Sequence, residues 1–177
     1  LAHTITCNYW QGLRREDIHW TLTDTGWAKA AWGIIFPPII AGAAIMLYDA
    51  PGFDAEMHLK LIEKYKVTHS HMVPTQFHRL LKLDESVRDR YDMSSLRAMI
   101  HAAAPCPIET KWRMLEWWGD VIYEYYAATE GGGTLVTPQE WRNYPGTVGK
   151  PWVNSDIKIY DEDENELGAN EVGTVYM

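Results

Sequence analysis

The sequence predicts an α/β fold: a wound, mainly parallel sheet with flanking helices, followed by the start of a smaller β-rich lobe. Three observations predict it. Between residues 17 and 126, short β-branched and aromatic runs alternate with stretches of helical period, the pattern of parallel strands joined by helical crossovers. After residue 135 turn residues separate two short alternating runs, which reads as a hairpin. The 177 residues are 46% hydrophobic and include nine Trp and ten Tyr, enough to build a packed core and too many for a disordered chain.

Residues 4–10 suit a helix end or a short strand equally well. Residues 17–22 read as a strand, and Thr23-Asp24-Thr25-Gly26 as a turn that caps a helix from Trp27 to about Ile35. Residues 30–48 carry no charge, but Pro37-Pro38, Gly33 and Gly42 interrupt them. Two short buried helices broken at the prolines, then a strand over 44–48, are expected rather than a membrane span. Asp54 caps a helix running to Lys66, with Met57, Leu61, Ile62 and Tyr65 on its apolar face. A strand over 67–73 leads to a helix opened by Pro74 and running through Leu83. After the charged connection 84–92 come a strand over 96–102, a helix over 108–118 closed by Gly119, and a strand over 121–126. The expected division is residues 1–135 as an α/β nucleotide-binding part and 136–177 as the start of a β-rich subdomain. There are no internal repeats.

Six acids and no Lys or Arg fall within residues 161–177, which leaves 18 acids against 16 bases elsewhere. The net charge of −8 is therefore mostly one solvated turn, and no basic stripe indicates nucleic acid. Cys7 and Cys106 make neither a disulfide framework nor a metal-ligand spacing, which suits the reducing cytoplasm. Cys106 stands at a helix start, where a thiol pKa can fall, yet a structural role is expected.

Two loops at strand ends carry the candidate chemistry. One is Ala103-Ala104-Pro105-Cys106-Pro107; the other follows Glu124-Tyr125-Tyr126 as Ala127-Ala128-Thr129-Glu130-Gly131-Gly132-Gly133. On neighbouring parallel strands they face each other across a crevice at the carboxyl edge, where open sheets bind ligands. Thr129 can donate to a phosphate oxygen, and Glu130 offers a hard oxygen suited to Mg2+. The glycines either bring backbone close to a ligand or merely connect a hairpin. His69 and His71 share a strand face, with His78 and His101 nearby in sequence; that spacing could bind zinc in a His-based metalloprotein, but a pair without a third ligand reads as pocket wall or core. Trp27, Trp32, Trp117 and Trp118 suit helix faces and the core. Trp32 is also a candidate wall of an apolar pocket.

Taken in order, these segments resemble the adenylate-forming superfamily, specifically the acyl-CoA synthetases. Tyr126-Ala127-Ala128-Thr129-Glu130 is similar to its Tyr-Gly-x-Thr-Glu signature, and His101-Ala102-Ala103-Ala104-Pro105 to its Gly-Ala-Pro adenine loop, each with alanine for glycine. Thr23 to Trp27, Val67 to Thr75, Gly146-Thr147-Val148-Gly149-Lys150-Pro151 and Glu171-Val172-Gly173 resemble further segments. The resemblance implies ATP-dependent joining of a carboxylic acid, fatty or medium-chain, to coenzyme A through an acyl-adenylate. It implies Glu130 on Mg2+, Thr129 on the phosphates, and Tyr126 against adenine. Ala103, Ala104, Pro105, Glu124, Tyr125, Ala127 and Ala128 would line the nucleotide pocket, and Trp32, His71, Ala128, Gly131 and Gly132 the acyl pocket. The alanines standing for glycine imply a backbone that avoids positive φ there. The phosphate loop, the ribose-binding aspartate and the catalytic lysine have no counterpart in these residues. The chain is therefore expected to be an internal fragment of a larger ligase, inactive alone. An amino-acid- or aryl-acid-adenylating domain, and a non-catalytic adenine-nucleotide-binding module, are the alternatives.

Overall fold

The computed structural model describes residues 9, 11–23, 26, 30–128, 131–153 and 155–177, with the backbone alone for Trp32 and Gly131. The expectations placed on residues 4–8, Asp24, Thr25, Trp27, Thr129 and Glu130 therefore lie outside the described residues.

The main sheet has seven strands. They are β1 (Ile18–Thr21), β2 (Ala44–Ile45), β3 (His69–Met72), β4 (Ala98–His101), β5 (Ile122–Ala128), β6 (Gly131–Val136) and β7 (Lys150–Pro151), in the order β2-β1-β3-β4-β5-β6-β7. The pairs from β2 to β5 are parallel, and β5–β6 and β6–β7 are antiparallel. The wound, mainly parallel sheet expected from the sequence is thus present. Its helices are α1 (Phe36–Ala41), α2 (Ala55–Tyr65), α3 (Pro74–Leu81), α4 (Glu85–Arg88), α5 (Ile108–Trp118) and α6 (Pro138–Asn143).

Local chemistry explains most boundaries. The Asp54 carboxylate accepts the Met57 amide at 2.8 Å and starts α2, which ends at Lys66 in a left-handed conformation. Pro74 begins α3, where its missing N–H costs nothing. Gly119, at φ 81°, terminates α5 where the sequence places the end. Fully buried Leu59, Ile62, Phe77, Leu80, Met99, Met114 and Ile122 join these helices to β4 and β5 in one core. Each such side chain contributes about 1.5–3 kcal/mol, more than any helix propensity here, so packing sets where the helices lie.

Three expectations are corrected. Residues 31–41 are a π-helical segment (Ala31–Ile35) running into α1, with Pro37 and Pro38 in the first turn of α1 rather than between two helices. The prolines are buried, but Ile35, Phe36, Ile39 and Ile40 are exposed, because α1 packs beside the short edge strand β2. The buried face of α2 is His58, Leu59, Leu61 and Ile62, with Met57 packed against the core as expected, but Tyr65 is exposed. Residue 135 falls inside β6: the fully buried Trp141 of α6 and the pairing of β7 continue the first sheet. Only β8 (Lys158–Tyr160) and β9 (Thr174–Tyr176) make a second, antiparallel sheet. Among the described residues no helix is long and apolar enough to cross a membrane.

A polar clamp fixes the amino end of β1. Asp17, almost wholly buried, receives Arg97 at 2.5 Å, the Thr68 hydroxyl at 2.8 Å and the Arg14 amide at 2.7 Å. Burial raises its pKa, but the bonds from Arg97, Thr68 and Arg14 outweigh that and hold the carboxyl below its ordinary value. The clamp ties β1 to the segments entering β3 and β4, and so sets the register that aligns their carboxyl ends.

Candidate active site

Parallel strands bring their carboxyl ends to one edge, and the cavity is there. It measures about 340 Å³ and is lined by Thr21 and Leu22 at the end of β1, His71 and Val73 at β3, Ala103 after β4, and Tyr125 on β5. That size is within the range of small-molecule sites. Three candidates from separate stretches, His71, Ala103 and Tyr125, are thereby brought together.

Successive strand residues point to opposite faces, so Tyr125 and Tyr126 part company. Tyr125 faces the cavity, and burial pushes its phenol up to about 12. Tyr126 lies on the other face and is 44% exposed; Ala103, Ala104 and Pro105, which follow the neighbouring strand β4, are exposed as well. An aromatic ring open to solvent is a surface on which a planar base can stack.

Glu124 is on the Tyr126 face but does not open to solvent. Its carboxylate accepts the Lys111 ammonium at 2.6 Å and lies 3.4 Å from His101 Nε2. Lys111 is fully buried, and its Nζ sits 4.8 Å from the centre of the Trp141 ring. Burial lowers the pKa of Lys111, and the charge of Glu124 partly restores it. Burial first, and Lys111 second, hold His101 well below the ordinary histidine range. Burial and then Glu124 push the Cys106 thiol up to about 12, so it stays protonated, in keeping with a structural role. The sequence reading missed Lys111. Its signal was spacing: Lys111, Met114, Leu115 and Trp118 make one buried stripe on α5.

Ala103 has φ of 74°, in the left-handed region that the sequence reading expected alanine there to avoid. The chain turns sharply out of β4 regardless of the residue, and the methyl group is tolerated because the position is exposed. Holding alanine in that region costs about 1–2 kcal/mol, as strained site residues do. Ala103→Gly is therefore expected to raise unfolding free energy by about 0.5–1 kcal/mol, part of the relief being offset by the freer unfolded chain. A rise in urea midpoint at unchanged slope is the measurement.

The three glycines are not a loop. Gly131, Gly132 and Gly133 open β6, which pairs with β5 across a register shift at Ala127/Ala128. Two of them have close neighbours: a side chain at Gly133 would overlap the Trp152 ring, and one at Gly132, where φ is 70°, would overlap Met177. Small residues here let the second lobe's flank pack on bare backbone. Ala127 and Ala128 are exposed at the end of β5. Thr129 and Glu130, between β5 and β6, and the Trp32 side chain lie outside the described residues.

A mainly parallel sheet with an apolar cavity at its carboxyl edge is an α/β ligand-binding domain of the kind that the adenylate-forming resemblance implies. Solved structures agree on the fold. An acyl-CoA synthetase from Brucella canis superimposes with a TM-score of 0.85 at 27% identity, over 98% of this chain and 32% of that one. The amide bond synthetase McbA from Marinactinospora thermotolerans superimposes with a TM-score of 0.86 over 98% of this chain and 34% of that one, and at 20% identity it speaks for the fold alone. The model of the AMP-binding enzyme family matches residues 1–177, and the chain belongs to that family. Among curated relatives, the mitochondrial acyl-coenzyme A synthetase ACSM3 of Pongo abelii is 31% identical over 177 residues, 99% of this chain and 29% of the relative. The mitochondrial ACSM4 of Homo sapiens is 30% identical over 179 residues, 100% of this chain and 30% of the relative. The chain thus spans about 30% of the length of the curated relatives it matches.

Proposed function

We propose that this chain is the adenine- and acid-binding part of an ATP-dependent carboxylic acid–CoA ligase that works through an acyl-adenylate. The carrying observation is the meeting of an apolar cavity of about 340 Å³ with Ala103 and Tyr125 at the ends of the adjacent parallel strands β4 and β5. An acid seated in the cavity has its carboxylate directed to that edge. The carboxylate attacks the α-phosphorus of ATP and pyrophosphate leaves; the thiol of coenzyme A then displaces AMP. Tyr126 stacks on adenine against Ala103, Ala104 and Pro105, and Thr129 donates to the phosphates. Glu124, held by Lys111, positions the strand that presents Tyr125 and Tyr126. His71 and Tyr125 wall the acyl end, with Trp32, Ala128, Gly131 and Gly132 at its rim.

Two anions meet in the first step, so positive charge has to offset their repulsion. A carboxylate such as Glu130 is the hard oxygen donor that suits magnesium, which supplies that charge when bound. Residues beyond those present here complete the triphosphate grip, and catalysis needs a polypeptide that supplies them. The cysteine usage favours a reducing compartment such as the cytoplasm, whereas both curated relatives named above are mitochondrial.

The test is pyrophosphate release with acids of graded length, aliphatic and aryl, in a polypeptide joining this chain to the remaining family parts. Release is expected with medium-length or longer acids. Glu130→Ala is expected to lower it by about a hundredfold, with AMP binding by calorimetry retained. AMP binding without pyrophosphate release from any acid would make this a nucleotide-binding module, not a ligase.

A further inference from the structure

Three imidazoles from two distant stretches meet inside the sheet. His69 and His71 point to one face of β3, and the pairing with β1 sets His19 opposite His69 and Thr21 opposite His71. All three histidines are buried. Their ring centres form a nearly equilateral triangle with sides of 4.9, 5.4 and 5.4 Å. One ligand nitrogen from each lies within 4.8 Å of the others.

The hydrogen bonds around the outside decide which nitrogens face inward. His69 Nε2 is 2.8 Å from the Gln11 carbonyl oxygen, which can only accept, so the proton is on that nitrogen. His19 Nε2 meets the Gly33 carbonyl and, at 2.8 Å, the Thr21 hydroxyl oxygen. The hydroxyl's own proton goes to the same carbonyl at 3.0 Å, so His19 Nε2 carries a proton too. In neutral rings the two Nδ1 atoms are then bare, and they face each other 2.9 Å apart. Two converging lone pairs in a buried site repel unless a cation lies between them. Outward N–H groups fixed by backbone carbonyls, with bare nitrogens turned inward, are how proteins orient histidines on a metal.

We propose that His19, His69 and His71 bind one divalent transition-metal ion of the zinc class within the sheet, behind the cavity. Three imidazoles and no carboxylate favour zinc over magnesium or calcium. Tetrahedral zinc with bonds of about 2.0–2.1 Å sets ligand nitrogens about 3.3 Å apart, so the His19–His69 pair, at 2.9 Å, opens slightly while the widest separation in the cluster, within 4.8 Å, closes on the ion. Three protein ligands leave a fourth position to water, and His71 and Thr21 line the cavity through which ion and water enter. The site uses none of the residues assigned to magnesium or the nucleotide, and it stands whether or not the ligase reading does.

The test is the metal content of the purified full chain after zinc loading and gel filtration. About one zinc per chain is expected, with the visible d–d bands of a four-coordinate site when Co2+ replaces it. His71→Leu is expected to lose both, whereas His58→Leu, a buried histidine outside the triangle, keeps them. A chelator should lower the melting temperature by about 4 °C or more, and added zinc should restore it. A folded chain that takes up no zinc and shows no Co2+ bands would overturn the proposal and leave a shared proton between His19 and His69. Zinc retained by His71→Leu would overturn it as well.

Discussion

Lys111→Met is expected to lower the unfolding free energy by about 3–5 kcal/mol, the cost of stripping one partner from a buried ion pair. The Lys111 ammonium is fully buried, and its bond to Glu124 at 2.6 Å is the closest charge compensation that carboxylate has. Methionine fills the volume of the lysine stem but leaves an ionised carboxylate among Trp141, Phe77 and the strands. Adding Glu124→Gln removes the stranded charge, so the double variant is expected to recover most of the loss. Urea unfolding of the four proteins of this cycle measures the coupling. If Lys111→Met unfolds at the same midpoint as the parent protein, Lys111 does not hold Glu124. The pair matters beyond stability because Glu124 immediately precedes Tyr125 and Tyr126, whose opposite faces address the cavity and the exposed loop. A small but significant shift of β5 would misplace both.

Gly149→Ala is expected to cost about 4 kcal/mol, combining left-handed strain with overpacking against backbone. Gly149 has φ of 92°, and a Cβ there would overlap the carbonyl of Leu135 and lie 2.7 Å from the Val136 nitrogen. No flexible side chain can yield, because both neighbours are β6 backbone. The preceding turn is held by the Thr147 hydroxyl, which accepts the Gly149 amide at 3.1 Å, and by Thr134, whose hydroxyl donates to the Val148 carbonyl at 2.5 Å. Displacing this turn pulls β7 from β6 and loosens the pairing of β6 with β5. Gly146, at φ 91°, has only the Ile108 side chain near it. Gly146→Ala therefore meets the strain without the overlap, and its thermal shift should be clearly smaller. Equal shifts for the two variants would mean that the contact with Leu135 contributes nothing.

The alternation of strands and helices was legible because each crossover carries its own punctuation. Asp54, Pro74, Gly119 and Pro107 mark element ends by local backbone chemistry that needs no partner. Neighbouring β4 and β5 follow from the same pattern, so the meeting of the 103–107 loop with the end of β5 was foreseeable. Helix α6 was missed, although Thr137 and Glu140 form a reciprocal cap at its start, because six residues are too few to show a period. The packing against the glycines was missed for a similar reason. Nothing local to Gly133 announces that Trp152 will cover it.

What the sequence by itself determined is therefore most of the order of elements, the carboxyl-edge position of the cavity and the family, since each rests on residues near one another in the chain. Tertiary structure alone decided the pairings: Lys111 under Glu124, the Trp152 ring over Gly133, Ala103 held at positive φ, and His19 beside His69 and His71. Each depends on strand register or on how a helix rolls onto the sheet. A one-residue change of register turns a side chain to the opposite face, and no local signal in a single strand records which register its neighbour will take.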